Sequence, residues 1–382
     1  MKRILLIHNN YRSTGGEDIA VKNELEMLQR NFEIKTLIYD NKIQNIFDLI
    51  SFFTLSNTSV NKEIISNVEE FNPDLVYFHN TWFKVSLGIF KYLNNKKIKV
   101  MVKIHNFRYD CTKSLDSKKH LINEEFCYAC GFSNKNVFSF NKYFNQSYLK
   151  SLFSIYFGKK YLKILKNENT YIAVLTSFHK KFLKDRHLKS KNVFVIPNFI
   201  QTKKLQMKPN KDYFIYAGRI SKEKGIEQMI ESFLSSNLNR NSLKIVGDGP
   251  LYKNLLKKYN LPNIEFLGTL SNEKTLSLIA NSSGVISGTR LYEGQPTLLC
   301  EASMLGVPVV FPDTGGIKEF LPSEYDFLYK QFDYESLVNK LNSLTNKKLV
   351  NKNTSNAHLH ILEKLNEVSI IKIFQEVIAS ND

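Results

Sequence analysis

The sequence predicts an α/β protein of two domains, each with a parallel sheet covered by helices on both faces. Its 382 residues exceed what one hydrophobic core usually supports. Short apolar runs alternate with helical segments, which is typical of parallel strands joined by crossover helices. This rhythm occurs twice, on either side of a polar, basic segment that begins at Gln201 and contains Pro209. We expect domains over 1–200 and 201–366, with a last helix over about 367–382 that packs back on the first domain.

The first predicted domain opens with a strand, a glycine pair and a helix. The apolar run Arg3–His8 leads through a polar loop to Gly15-Gly16, and Glu17–Arg30 follows with helical apolar spacing. This order is the first half of a βαβ unit, in which glycines let the backbone approach a ligand closely. Alternatively, the pair forms an ordinary tight turn. Further strands are predicted at Ile34–Tyr39, Leu75–His79, Val100–His105, Tyr171–Leu175 and Val193–Ile196.

Three histidines, each followed by asparagine, stand at the carboxyl ends of these strands. They are His8, His79 and His105. Ligands of parallel α/β sheets bind outside the carboxyl ends of the strands. One histidine there is commonly an ordinary loop residue, but three at equivalent ends favour a ligand-facing role for at least one.

The second predicted domain repeats this plan and places glycines at its strand ends. Strands are predicted at Tyr213–Ala217, Leu243–Val246, Ile264–Leu267, Gly284–Ser287 and Val307–Phe311. Helices are predicted near Lys224–Phe233, Leu251–Tyr259, Glu273–Ala280, Pro296–Leu305 and Ser369–Ser380, with a polar stretch after Asn346. The glycines occur in Gly218-Arg219, Gly247-Asp248-Gly249-Pro250, Gly268 and Thr314-Gly315-Gly316. Their positions predict a ligand-binding edge in this domain.

One segment of the second domain combines a helix start with two acids. Pro296 suits a first helical position and Gly306 a left-handed end, so the amino end of this helix can bind a phosphate. Thr297 and Glu301 are four apart and share one helix face, while Glu293 lies on the preceding loop. Carboxylates would repel an anion held there, so we expect them to accept hydrogen bonds from sugar and ribose hydroxyls. Alternatively, both are solvated acids.

The composition narrows the partners and the compartment. A formal net charge of +17 favours nucleic acid, anionic lipid or phosphorylated substrates. The apolar run Ile4–Ile7 is too short for a signal peptide, and no run approaches the length of a membrane span. Four cysteines in so long a chain do not form a secreted disulfide framework. We therefore expect a cytoplasmic protein.

Three cysteines and a histidine lie in Phe107–Val137, a segment that interrupts the strand and helix pattern. Cys127-x-x-Cys130, with Cys111 and His120 before it, has the residue types of a structural zinc site. The second C-x-x-C is missing, so we prefer buried or unligated thiols in an inserted loop.

The stretch Lys142–Lys166 is basic and aromatic and contains no acid. Phe144, Tyr148, Leu152 and Tyr156 trace one helical face. Such a helix can lie on an anionic bilayer, with aromatic rings among the headgroups and lysines at the phosphates. Alternatively, the aromatic stripe packs on the protein's own sheet. We prefer the packing, with the basic face left available to lipid.

Several motifs of the second domain occur in the order and at the separations of a known family. They are G-R-I-S-K-E-K-G at Gly218–Gly225, G-D-G-P at Gly247–Pro250, the acids Glu293 and Glu301, and the G-V-P-V-V and T-G-G runs. With them the chain resembles the retaining glycosyltransferases of family four. That family has the GT-B fold, two Rossmann-like domains facing each other across a cleft. The first domain resembles the family's acceptor domain through Gly15-Gly16, His105-Asn106 and Pro197-Asn198.

The resemblance implies roles for individual residues. Arg219 and Lys224 would bind the donor diphosphate, which agrees with their place at the ligand edge and with bidentate binding of phosphate by a guanidinium. Glu293 would bind hydroxyls of the transferred sugar, Glu301 those of the ribose, and His105 would orient the sugar. The remaining donor-binding positions are Gly15, Gly16, Gly218, Gly247, Asp248, Gly249, Leu270, Gly294, Gln295, Pro296 and Thr297.

The implied reaction moves a sugar from a nucleotide diphosphate sugar to a glycan acceptor with retention of configuration. No D-x-D triplet occurs, which fits an enzyme without metal, and no cofactor is expected. The insert from Cys111 to Cys130 departs from the general family pattern and resembles a subgroup that builds bacterial surface polysaccharides such as O-antigen or capsule. The resemblance therefore implies a lipid-linked acceptor and a location at the inner face of the cell membrane.

Two other functional classes remain to be weighed. A non-catalytic sugar-nucleotide or glycan-binding protein of the same fold is the alternative to an enzyme, because a fold does not guarantee an activity. Nucleic acid is not an expected partner, because the basic residues are scattered and form no recognised binding module.

Overall fold

The chain divides into two units of α/β structure. Unit 1 is formed by Met1–Ile200 with Leu365–Asp382, and unit 2 by Gln201–Lys364. The computed structural model describes residues 1–10, 16–40, 58–81, 84–107, 127, 147–167, 169–185, 192–201 and 212–380. Within these ranges, no helix combines the length and the apolar content that crossing a bilayer requires.

Unit 1 is built on a parallel sheet whose six strands follow the order β2-β1-β3-β4-β5-β6. The strands are β1 (Arg3–Asn10), β2 (Glu33–Asp40), β3 (Leu75–Phe78), β4 (Val100–Ile104), β5 (Thr170–Val174) and β6 (Val193–Val195). The helices between them are α1 (Gly16–Leu28), α2 (Thr58–Phe71), α3 (Gly88–Asn95), α4 (Tyr148–Leu165) and α5 (Ser177–Lys184). Every residue of β3, β4 and β5 is buried, as expected for a sheet covered on both faces.

Unit 2 has a second parallel sheet, with its six strands in the order β12-β11-β10-β7-β8-β9. The strands are β7 (Tyr213–Ala217), β8 (Ser242–Val246), β9 (Ile264–Gly268), β10 (Gly284–Ile286), β11 (Val309–Asp313) and β12 (Leu328–Lys330). The helices are α6 (Ile226–Leu234), α7 (Tyr252–Lys258), α8 (Asn272–Ala280), α9 (Thr297–Met304), α10 (Tyr334–Ser343) and α11 (Lys347–Lys364). Short 3-10 helices cover Lys222–Lys224 and Ile317–Phe320.

The polar stretch after Asn346 is a helix that the sequence did not predict. Helix α11 buries only a narrow stripe, Asn353, Ala357 and Ile361, so its apolar periodicity is weak. Tertiary hydrogen bonds take the place of apolar contacts. Asn353 accepts from the amide of Asp326 and donates to its carboxylate, both at 2.8 Å. Strand β12 and helix α10 were not predicted either.

The last helix, α12 (Glu367–Ala379), belongs to the core of unit 1. Ile370 and Phe374 pack with Tyr77 in the layer that covers one face of the sheet. Lys99 donates to the carbonyl of Ile378 at 2.8 Å, which places a cation at the negative carboxyl end of the helix. At the other end, Glu367 pairs with Arg30 at 2.7 Å.

Helix α4 packs on the core through the face opposite to the aromatic stripe that we expected to be buried. Phe157 and Leu162 pack in the hydrophobic core of unit 1. Tyr148, Leu152 and Tyr156 are 53%, 47% and 45% exposed. The preferred packing of this aromatic stripe on the protein's own sheet is therefore wrong, because other residues of the helix fill that role.

Each sheet has a point at which its strand order reverses. This switch lies between β1 and β3 in unit 1 and between β7 and β10 in unit 2. Crossover connections leave such a point in opposite directions and open a crevice beyond the carboxyl ends of the strands. The residues that directly follow the strands at each switch point therefore border a crevice where a ligand can bind.

Candidate active site

A lysine and a glutamate meet beside the switch point of unit 2. Lys224 Nζ donates to Glu293 Oε1 at 2.6 Å, and the hydroxyl of Thr289 donates to the same oxygen at 2.8 Å. The two charged side chains are 27% and 16% exposed, so the pair is shielded but open to a ligand. The structure thus brings together two residues to which the family resemblance assigned separate tasks.

The backbone around Gly225 holds this pair in place. Gly225 has a φ of 60°, and a Cβ there would lie 2.0 Å from the carbonyl oxygen of Gly288, so this position requires glycine. Two residues earlier, the carbonyl of Glu223 accepts a hydrogen bond from the amide of Arg290 at 2.9 Å. The short helix with Lys224 is therefore tied directly to the loop that leads to Glu293.

A second contact fixes the same loop from the end of β11. The amide of Gly316 donates to the carbonyl of Glu293 at 2.8 Å. Gly315 has a φ of 59°, and a Cβ there would meet the Glu293 carbonyl oxygen at 2.5 Å. The T-G-G run of the sequence thus serves to let two loops approach each other closely.

Arg219 lies at the exposed turn that follows β7, next to the same switch point. The hydroxyl of Tyr216 donates to the Arg219 carbonyl at 3.1 Å, which fixes the turn while leaving the guanidinium at the surface. The carbonyl of Gly218 packs against Gly247, where a Cβ would come within 2.0 Å of it. The strand ends of β7 and β8 are therefore in direct backbone contact.

The amino end of α9 differs by one residue from the prediction. Pro296 is the N-cap in extended conformation rather than the first helical residue, and the helix runs from Thr297. Gln295 is buried just before it. Burial raises the pKa of Glu301 to about 7, because the ionised carboxylate loses solvation. Glu301 itself is half-buried on this helix.

The loop from Gly247 to Gly249 forms the adjacent edge of unit 2. The amide of Gly247 donates to the carbonyl of Gly268 at 2.7 Å, and Asp248 accepts from the amide of Gly249 at 2.7 Å. Leu270 is half-buried in the turn after β9. The carboxylate of Asp248 thus shapes its own loop.

The three histidines at the strand ends of unit 1 form one cluster. His79 Nδ1 and His105 Nε2 are 3.0 Å apart, and His8 Nε2 is 3.0 Å from Asp18 Oδ1. Burial lowers the pKa of His79 and of His105 well below the usual histidine value, and the charge of Lys103 lowers both further. Both rings are therefore neutral, and one donates to the other.

The outer nitrogens of this histidine pair are buried. His79 Nε2 and His105 Nδ1 are buried and have no hydrogen-bond partner within the described ranges. Since a neutral ring carries one proton, the direction of the inner hydrogen bond decides whether His105 Nδ1 offers a donor or an acceptor. His105 Nδ1 thus has one open hydrogen-bonding role, which the tautomer sets.

Beneath the histidines lies an ion pair that the sequence reasoning missed. Lys103 on β4 donates to Glu24 on α1, both side chains are fully buried, and Tyr77 donates to the other Glu24 oxygen at 2.7 Å. Burial lowers the pKa of Lys103, while Glu24 opposes this shift. The available signal was a lysine inside the buried run Val100–His105, with an acid on the apolar side of the first helix.

Thr289 was also missed, since a threonine four residues before a glutamate in a loop has no distinctive pattern.

The remaining predictions fall partly outside the described residues. Gly15, Cys111, His120, Cys130 and Phe144 lie there, so the zinc hypothesis stays a prediction. Cys127 is buried. Among the residues that the structure describes, no group of three or more histidine, cysteine or acidic side chains could hold a metal ion.

The family of unit 2 follows from its sequence. Residues 198–359 match the model of the family described as "Glycosyl transferases group 1". These residues form a group 1 glycosyl transferase domain. The matched range contains the Lys224 and Glu293 pair, the glycine contacts around it and helix α9.

Curated relatives of the glycosyl transferase domain match over part of their length. The sulfoquinovosyl transferase SQD2 of Arabidopsis thaliana is 31% identical over 36% of this chain and 27% of its own. A UDP-Gal:alpha-D-GlcNAc-diphosphoundecaprenol alpha-1,3-galactosyltransferase of Escherichia coli is 27% identical over 49% of this chain and 54% of its own. The chain therefore spans about a quarter to a half of these two relatives.

A solved structure matches along the whole chain. Anabaena Alr3699/HepE in complex with UDP and glucose has a TM-score of 0.69 at 14% identity, over 100% of both chains. This likeness, together with the two parallel sheets of the units, confirms the predicted GT-B fold.

Proposed function

We propose that the protein transfers a sugar from a nucleotide diphosphate sugar to a glycan acceptor, with retention of configuration and without a metal ion. The observation that carries the proposal is the pair of Lys224 and Glu293 beside the switch point of unit 2. A lone cation there would suit any phosphate. A carboxylate bonded to it would repel a plain anion, so the pair suits a ligand that combines a phosphate with hydroxyl groups.

The chemistry follows from where charge develops. The bond between the anomeric carbon and the phosphate oxygen breaks, and its electron pair stays on the diphosphate. The acceptor hydroxyl oxygen forms a new bond to the anomeric carbon from the same side, and its proton goes to the departing phosphate. Arg219 and Lys224 stabilise the growing negative charge on the leaving group, which lowers the barrier directly. The amino end of α9 near Thr297 adds its N–H groups and helix dipole.

The other predicted residues act in binding. Glu293 accepts hydrogen bonds from the transferred sugar, and Glu301 from the ribose. The Gly247–Gly249 loop and Leu270 border the base. In unit 1, the proposed acceptor domain, His105 orients the sugar, and Gly15 with Gly16 brings backbone close to the phosphates. Gly218, Gly294, Gln295 and Pro296 shape the phosphate-binding backbone of unit 2.

The proposed acceptor is a lipid-linked glycan of a bacterial surface polysaccharide. Support comes from the name of the Escherichia coli relative, which specifies a diphosphoundecaprenol-linked substrate, and from a capsular polysaccharide biosynthesis glycosyltransferase of Staphylococcus aureus at 27% identity. Such an acceptor places the enzyme at the cytoplasmic face of a membrane. A net charge of +17 supports contact with anionic lipid.

Thermal unfolding with a panel of nucleotide diphosphates and their sugar derivatives tests the donor site. A matching donor at 100 times its Kd should stabilise the fold by about 2.7 kcal/mol. The purified protein should then cleave that donor slowly in chelator-containing buffer and release a sugar with the donor's anomeric configuration. A protein that binds donors but neither hydrolyses nor transfers them would be a binding protein instead.

The raised pKa of Glu301 predicts a pH dependence of donor affinity. If ribose hydroxyls donate to the ionised carboxylate of Glu301, the affinity for the donor scales with the ionised fraction of this carboxylate. With a pKa of about 7, that fraction is roughly one tenth at pH 6 and nine tenths at pH 8. Affinity for the nucleotide sugar should thus rise about tenfold between these values. Calorimetry on wild type and Glu301→Gln measures it, and the variant should bind with little pH dependence. If the donor affinity of the wild type does not change with pH, Glu301 does not bind the ribose.

A further inference from the structure

Helix α4 carries an apolar stripe on its outer side. Tyr148, Leu149, Leu152 and Tyr156 are 53%, 65%, 47% and 45% exposed. At 3.6 residues per turn, these positions fall within an arc of about 100°. The helix meets the core of unit 1 through different residues, among them Phe157. Core packing therefore does not explain why the outer stripe is apolar.

The same side of the helix becomes basic towards its carboxyl end. Lys159, Lys160 and Lys163 are exposed and continue the arc of the stripe over the next two turns. The ammonium of Lys160 lies 5.4 Å from the centre of the Tyr156 ring, where the apolar and basic halves meet. The helix contains no acid. One face therefore combines exposed apolar groups with uncompensated positive charge on the helix itself.

A cavity of about 520 Å³ opens beside this face, between α3 and α4. Its lining includes Lys91, Tyr156, Lys160 and Lys163, together with the amides of Asn94 and Asn167, and no acidic residue of the described ranges lines it. Ammonium and amide groups with an aromatic wall suit a phosphate attached to an apolar body. The cavity has room for such a headgroup.

The cavity is separate from the histidine cluster of unit 1. Val100 and Thr170, which line it, are the first residues of β4 and β5. His105 follows the other end of β4, about 16 Å away at 3.3 Å per residue. An anion held in this cavity therefore lies at the opposite edge of the unit 1 sheet from His105.

We propose that α4 and this cavity form a docking surface for an anionic phospholipid bilayer. Tyr148, Leu149, Leu152 and Tyr156 enter the headgroup region, and the lysines of the cavity bind a lipid phosphate. A nucleic acid or a soluble phosphate would use the lysines but leave the leucines in water, so the apolar stripe selects the membrane. The surface gives the membrane location proposed above a physical basis. Its test uses vesicles alone and does not require glycosyl transfer.

Flotation with vesicles of phosphatidylcholine and phosphatidylglycerol, against phosphatidylcholine alone, tests the surface. Wild type should bind the mixed vesicles and show little binding to the neutral ones. Because each lysine near an anionic surface contributes about fivefold, Lys91→Gln/Lys160→Gln/Lys163→Gln should lower the partition constant by roughly 100-fold. The matched control, Lys253→Gln/Lys257→Gln/Lys274→Gln, removes the same charge from exposed lysines of unit 2 and should change it less than about fivefold.

A second pair of variants tests the apolar stripe. Leu149→Asn/Leu152→Asn should weaken vesicle binding at least tenfold, since both leucines are exposed and contribute apolar area on insertion. Leu256→Asn/Leu261→Asn, exposed by 42% and 41% in unit 2, is the control and should bind like wild type. Unfolding curves check that all variants fold, and donor hydrolysis without vesicles should be unchanged in the stripe variant.

Several results would overturn the docking surface. They are absence of binding to mixed vesicles, equal binding to neutral vesicles, or equal losses in the cavity and control lysine variants. If inorganic phosphate at millimolar concentration abolishes vesicle binding, the site binds a soluble anion. If an RNA oligonucleotide binds with the same dependence on the lysines and the leucine substitutions have no effect, the site binds a nucleic acid.

Discussion

Lys224→Met is expected to lower the rate of donor cleavage by about 100- to 1,000-fold, the range observed when one preorganised donor to a developing anion is removed. Lys224 is the cation that Gly225 and the Glu223–Arg290 backbone contact hold beside Glu293. Single-turnover hydrolysis of the best nucleotide sugar measures the loss. Lys222→Met is the matched control, because this exposed lysine lies on the same short helix and its replacement removes the same charge.

The direct bond between Lys224 and Glu293 also predicts how their effects combine. Glu293→Gln keeps a hydrogen-bond acceptor but removes the charge, so binding of the free nucleotide diphosphate should survive while cleavage of the sugar donor falls. Because the side chains are 2.6 Å apart, the double variant should lose less than the product of the single losses. Strict additivity, or a loss in Lys222→Met equal to that in Lys224→Met, would contradict the pair's proposed role.

Lys103→Met is expected to destabilise unit 1 by about 3–5 kcal/mol, because among the described residues it leaves the buried carboxylate of Glu24 with the Tyr77 hydroxyl as its one side-chain donor. Urea denaturation followed by a probe in unit 1 measures this. Lys103→Met/Glu24→Leu should recover most of the loss, since an apolar pair of similar volume needs no charge compensation.

An exposed ion pair of the same unit is the control for this prediction. Lys35 and Glu70 lie 3.0 Å apart with side chains 33% and 73% exposed, so Lys35→Met should cost less than about 1 kcal/mol. Similar losses for Lys35→Met and Lys103→Met would show that burial does not set the importance of the Lys103 pair. A double variant as unstable as Lys103→Met would show that packing, not an unpaired charge, causes the loss.

Strands and helices could be predicted from the sequence wherever their burial produces a regular pattern of apolar residues. Val100–His105 was predicted as a strand, and β4 occupies Val100–Ile104, because a strand covered on both faces is mostly apolar and Lys103 is the one charged residue in this run. Helix α11 escaped prediction because it buries about one side chain per turn and uses Asn353 for hydrogen bonds that no periodicity reveals. Helix α4 was predicted as a helix, but its two apolar faces gave no indication which one meets the core.

The candidate site shows the same division. Its glycines could be recognised in the sequence because backbone contacts such as that of Gly225 with Gly288 tolerate no side chain. The bond between Lys224 and Glu293 joins residues 69 positions apart, and the one between Lys103 and Glu24 joins residues 79 apart. No local pattern encodes either distance.

The sequence alone determined that this protein is an α/β chain of two domains, since strand period, helix period and glycine position are local properties of the chain, and its motifs carried the resemblance to glycosyltransferases of the GT-B fold. Only the tertiary structure decided which charges are paired, that burial raises the pKa of Glu301 to about 7, and that Tyr148, Leu152 and Tyr156 face outwards. Pairing, desolvation and exposure depend on neighbours that folding brings from distant parts of the chain.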